Sequence, residues 1–167
     1  MTAVVRLDPY GAAECVWAER IDEDLVQVTT VPHPASGHRW GDIVRHGPEP
    51  RGNRGEYPVY DEIERSWASE VPTVRVVVLA SLPNLDELYR LVATKNWAIV
   101  NWTTSVELRC PVCSWGDPSG VHRHPNPRPD ARQDIGIAGN PPDVDAAVRE
   151  WERWRRDREV LLIEVVA

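Results

Sequence analysis

"TVRVVVLASLPNLDELYRLVATKNWAIVNW" (73–102) is the stretch on which the fold turns. Its first eight residues are a near-continuous β-branched run, the pattern of a strand buried on both faces. The period then changes, with Leu85, Leu88, Leu91 and Val92 at helical spacing. Asn84 is the expected N-cap, with Glu87 three residues on as in a capping box. "WAIVNW" (97–102) returns to strand character. "SVELRC" (105–110) follows so closely that a hairpin is predicted.

Beyond Cys110 the chain runs through about thirty residues (110–139) without a clear period, a length that in compact domains marks function or disorder. Asn140-Pro141 then reads as a helix start, a capping Asn followed by Pro at the first helical position. Val144, Ala147, Val148, Trp151 and Trp154 form one apolar stripe, and "EVLLIEVV" (159–166) supplies a last strand. The order β-α-β-β-α-β is the split βαβ, or ferredoxin-like, arrangement. It predicts a four-stranded antiparallel sheet with both helices on one face.

Upstream the signals are all β. "ECVWAER" (14–20) and "LVQVTTV" (25–31) are pairable strands across the polar turn Asp22-Glu23-Asp24. "GDIVRH" (41–46) and "EYPVYDEIERS" (56–66) add two more, around the Pro- and Gly-rich loop "GPEPRGNRGE" (47–56). Four short strands without helical period predict a small β-barrel or a strongly bent sheet. The fold class is therefore α+β: a small all-β unit over 1–71, then a ferredoxin-like unit over 72–167 carrying the long insertion at 110–139.

"ECVWAERIDEDLVQVTTVPHPASGHRWGDIV" (14–44) resembles the opening of an uncharacterised bacterial domain-of-unknown-function family. That family begins with a Trp-containing strand, a Val-Pro after the second strand and a Gly-Asp-x-Val strand. "VYDEIERSWASEVPTVRVVV" (59–78) is similar to the same family's passage into its second half. The resemblance covers about residues 14–80 and implies the fold without an activity; the Cys/His loop lies outside its pattern.

A net charge of −7 argues against broad electrostatic capture of nucleic acid or anionic membrane, which needs surplus Lys and Arg. No apolar run reaches the roughly 18 residues of a membrane span, and the N-terminus lacks the basic-then-apolar plan of a secretory leader. A cytoplasmic location is expected. With eight Trp and no Phe, tryptophan supplies the bulky aromatic packing.

"CPVCSWGDPSGVHRH" (110–124) holds the densest chemistry. Cys110-x2-Cys113 is the spacing by which a tight turn offers two thiolates to one zinc ion. His122 and His124, two apart in an extended segment, point the same way. Cys110, Cys113, His122 and His124 are thus a candidate tetrahedral zinc set, although structural sites usually separate the histidines by three to five residues. The alternative is an ordinary loop with two reduced cysteines at a strand end. A redox role for Cys-Pro-Val-Cys would need a helix to depress the first thiol's pKa, and "SWGDPSG" does not propagate one.

His33, His38 and His46 cluster in "HPASGHRWGDIVRH" (33–46) with Asp42. A His38–Asp42 pair with His33 beside it is the candidate acid–base constellation, the alternative being turn residues on a loop. "DIGIAGNPP" (134–142) is no phosphate cradle, because Pro141 and Pro142 remove two N–H donors. Arg149, Arg153, Arg155, Arg156 and Arg158 alternate with Glu150, Glu152, Asp157 and Glu159, as on a salt-bridged solvent face. RNA recognition by stacking is not expected, since "TVRVVVLA" and "SVELRC" carry no aromatics. Two functional readings follow. One is a non-enzymatic accessory or regulatory protein acting through a protein partner, its acidic surface suited to a basic one. The other is a small enzyme with its pocket where the two units meet, around His38 and Asp42.

Overall fold

The computed structural model of the chain describes residues 1–106, 109–114, 124 and 132–167. Six strands build the first half: β1 (Thr2–Leu7), β2 (Glu14–Arg20), β3 (Leu25–Val28), β4 (Ile43–His46), β5 (Gly52–Arg54) and β6 (Tyr57–Trp67). They pair in the order β1-β2-β3-β4-β6-β5, and β1 also pairs with β6 in parallel from Val4↔Val59 to Arg6↔Asp61. That last pairing closes β1, β2, β3, β4 and β6 into a barrel and removes two exposed edges. The period-2 alternation sends Ala3, Val5, Leu7, Val16, Ala18, Val26, Val28 and Val44 inward. Small branched side chains suit so narrow an interior. On the outer face Val4, Cys15 and Val59 are covered by Trp17 and Tyr57, whose rings meet edge to face at 5.1 Å.

Two of these strands go unread in the sequence. β1 lies in the N-terminal segment, and β5 falls inside the stretch that reads as loop, where Gly52 pairs with Val59 and Arg54 with Tyr57. β5 pairs with β6 across a two-residue turn, and β1 pairs with β2 along its whole length as well as with β6.

The second half contains β7 (Thr73–Leu79), α1 (Leu82–Thr94), β8 (Ala98–Asn101), the single turn α2 (Pro111–Ser114), β9 (Arg132–Ala138), α3 (Pro141–Arg153) and β10 (Glu159–Val165). The sheet order is β10-β7-β9-β8, with every neighbouring pair antiparallel. Val74, Val76 and Val78 of β7 face α1 and α3, packing on Leu85, Leu88, Val92, Val144, Val148 and Trp151. The chain is thus mixed α+β, a five-stranded barrel followed by a sheet carrying two helices.

The hairpin partner of β8 corrects the sequence reading. It is β9, in the stretch assigned to the loop, and not 105–110. Among the described residues of 105–110 none lies in a strand. Asn101 is the cause. Its Oδ1 accepts from Thr103 N at 2.9 Å and Thr104 N at 3.3 Å, a side-chain turn that ends β8. Helix α1 also starts differently: Ser81 is the N-cap, accepting from Asn84 N. Asn84 is buried, donating to Asp157 and accepting from Arg158. Asn140 caps α3 with Pro at the first position, as expected, but Trp154 is half-exposed at its end instead of packing.

The sheet face away from the helices lies on the barrel. Trp102, 2 % exposed, fills that seam with Val31 and Ala138, flanked by Trp40, Val71, Val100 and Val166. Its Nε1 donates to Val31 O at 3.3 Å. Gly136 is what admits the indole, since a Cβ there would sit 2.2 Å from Trp102 Cζ2. Gly136→Ala therefore forces the ring out of its seat. The expected loss is about 3 kcal/mol, at the upper end of ordinary overpacking, measured by urea unfolding with the wild type as reference.

Candidate metal centre and seam pocket

Cys110 ends the turn that leaves β8, and the single helical turn α2 begins at the next residue. One turn returns i+3 to the side of i, so Cys113 comes round to Cys110. His124 closes the group: Cys110, Cys113 and His124 each offer a ligand atom, all within 4.8 Å of one another. Cys113 Sγ stands 3.3 Å from His124 Nε2. Bonds of about 2.3 Å to sulfur and 2.0 Å to nitrogen put tetrahedral ligands roughly 3.5 Å apart, so that separation already matches one edge of a zinc site. No disulfide competes, as none of the three cysteines is disulfide-bonded. These three residues could hold a metal ion. His122, the fourth expected ligand, lies outside the described residues.

The same turn carries Arg109, and α2 rests against β2. Where this turn meets the barrel half, a cavity of about 220 Å³ is lined by Ala12, Glu14, His33, Ala35, Ser36 and Arg109. Glu14 is only 3 % exposed, and both carboxylate oxygens accept from His33 N, at 3.0 and 2.9 Å. Burial pushes its carboxyl up to about 7, against the lowering effects of the His33 N–H, the Arg109 charge and Ser36. Arg109 donates from Nη2 to Trp102 O at 2.6 Å.

The expected trio of His33, His38 and Asp42 is not joined by hydrogen bonds among the described residues, although the Asp42 charge acts on His38. His33 Nδ1 accepts from Ala35 N at 3.2 Å, which puts the ring proton on Nε2. Burial and then Arg109 lower its pKa, so the ring is neutral at pH 7. Its edge meets Trp102 with centroids 5.1 Å apart. His38 is buried and finds Glu62 instead of Asp42: Nδ1 donates to Ser36 O at 2.8 Å and Nε2 to Glu62 Oε1 at 2.6 Å. With Glu62 ionised, two acceptors on two ring nitrogens favour the imidazolium. Burial opposes that charge, but Glu62 and Ser36 outweigh it and raise the pKa. Asp42 is fully buried and holds backbone, accepting from Ser69 N at 2.7 Å and Arg39 N at 3.0 Å. His46 lies apart, stacked on Tyr60 at 4.4 Å.

Glu14 and Arg109 escaped the sequence reading. For Glu14 a signal existed: it shares the alternation phase of Val16 and Ala18, which face the barrel interior. An acid in an inward phase is costly and usually has a task. Arg109 has no such local mark.

Scans of family models and searches of curated proteins and solved structures find no match to the chain. Among the described residues no helix is long and apolar enough to cross a membrane.

Glu14 makes a signed prediction. A carboxyl at about 7 when folded and 4.5 otherwise takes up a proton on folding between those values. Stability from this group is present below pH 4.5 and lost as pH rises through 7. Glu14→Gln keeps the acceptor without the charge and gains on the wild type across that window, by about 3 kcal/mol at its end. Urea unfolding at pH 5 and pH 8, with a ¹³C titration of the Glu14 carboxyl, measures it; no difference between the two pH values contradicts the assignment.

Proposed function

We propose that the protein is a non-enzymatic accessory protein that acts through a protein partner, with zinc on Cys110, Cys113 and His124 fixing the loop it presents. The observation that carries this reading is the convergence of two thiols and an imidazole from the ends of one long connection. A structural zinc site contributes folding free energy outright. Here it would hold the long connection between β8 and β9 against the barrel, where α2 meets β2. His122 is the natural fourth ligand. Zinc thiolates call for a reducing compartment, consistent with a cytoplasmic protein.

The second half we read as a ferredoxin-like unit, on the strand order β10-β7-β9-β8 and the two helices on one face. Such folds serve many tasks, so the reading of function rests on the loop. Catalysis by His38 and Asp42 is less well supported: both ring nitrogens of His38 are committed, and Asp42 is bonded to backbone. The net charge of −7 favours a basic partner.

Protein purified without a histidine tag should carry about one zinc per chain by elemental analysis, and a chelator should lower its melting temperature. Cys113→Ser should lose both the zinc and the chelator response. Metal-free protein whose melting ignores the chelator would sink the zinc reading. For the partner, affinity purification from source cells at low and high salt should recover one stoichiometric basic protein, lost on Cys113→Ser. A chain that always purifies alone as a monomer contradicts the accessory role.

A further inference from the structure

The cavity between the barrel half and the Arg109 turn has a charge arrangement that the zinc reading does not use. It holds one acid and one base that do not bond to each other. Among the described residues Glu14 has no cation at ion-pair distance; its partners are the His33 N–H and Ser36. Among the described residues the Arg109 side chain donates only to Trp102 O, and its Nε has no partner there. A buried acid and a half-buried guanidinium on one small cavity, near enough for Arg109 to lower the Glu14 pKa but not joined in an ion pair, are individually costly.

What would satisfy both at once is a ligand bearing both charges. We infer that the pocket lined by Glu14, His33, Ser36 and Arg109 binds a small free α-amino acid, its ammonium on Glu14 and its carboxylate on Arg109. A simple anion would meet Arg109 but face the Glu14 carboxylate. A simple cation would meet Glu14 and be repelled by Arg109. The zwitterion alone pairs each wall with its opposite.

Size points the same way. About 220 Å³ is below the roughly 300–1,000 Å³ that houses a drug-sized molecule, so the occupant is small. His33 adds a neutral Nε2–H, the tautomer set by the bond from Ala35 N to Nδ1, as a further donor for a carboxylate. Ala12 and Ala35 leave room for a short side chain. Burial raises the Glu14 pKa despite the nearby Arg109 charge, and an arriving ammonium would stabilise the carboxylate further.

The inference goes beyond the accessory role and does not require zinc, but Arg109 precedes a proposed zinc ligand, so the test reads the two separately. The full chain is titrated calorimetrically with glycine, L-alanine and L-serine, with propionate and ethylamine as single-charge controls. At least one amino acid should bind at one site per chain, ten-fold or more tighter than either control. Glu14→Gln and Ala12→Leu, the second narrowing the cavity, should each weaken binding at least ten-fold with circular dichroism and zinc content unchanged. Arg109→Gln should do the same; if it also loses zinc, Glu14→Gln and Ala12→Leu decide the matter. Absence of binding by all three amino acids overturns the inference, as does propionate or ethylamine binding as tightly as alanine. Unaltered affinity in folded Glu14→Gln overturns it too. None of these results bears on whether the wild type holds zinc.

Discussion

The indole of Trp102 is the contact on which the rest of the molecule depends. It leaves the end of β8, lies over Gly136 of β9 and donates to Val31 O of the barrel, so one side chain touches both halves. Its own carbonyl accepts from Arg109, and its ring meets the edge of His33. The position of barrel against sheet, the wall of the seam pocket and the launch of the Cys110–Cys113 turn are thus tied to one residue. A large aromatic is suited to this because it removes much apolar area from water while its one polar atom still finds an acceptor.

Around that seat, three carboxylates shielded from solvent hold irregular backbone by accepting from it. Glu14 receives His33 N, Asp42 receives Arg39 N and Ser69 N, and Glu62 receives Asp8 N while bonding His38. The connection between β3 and β4 has little regular structure to satisfy its own N–H groups, and buried N–H groups do not go unpaired. Glu62 is balanced by the imidazolium of His38 and Asp42 in part by Arg65. Glu14 makes no ion pair among the described residues, which separates it from the other two.

The metal candidates follow a different logic. Cys110 and Cys113 are brought together by one local turn, so their pairing needs nothing but the i,i+3 relation. His124 must return across an intervening stretch, and the structure does bring it within reach of both thiols.

Local patterns in the sequence determined the elements whose signal is internal to them. The β-branched run of β7, the leucine spacing of α1, the Asn-Pro start of α3 and the Cys-x2-Cys turn could all be read from residues within a few positions of one another. The α+β class and the two halves follow from those. Tertiary structure alone decided the elements that exist by pairing at a distance. β1 lies between β2 and β6, and its pairing with β6 closes the barrel; β9, with Gly136 and Asp134 in its run, is a strand flanked by β7 and β8. It also decided the site. His38 and Asp42, four residues apart, face different partners, whereas Glu14, His33 and Arg109, spread over the chain, line one cavity. The physical reason is that adjacency in sequence constrains a side chain only through backbone geometry, while which acid meets which base is settled when Trp102 docks the sheet on the barrel.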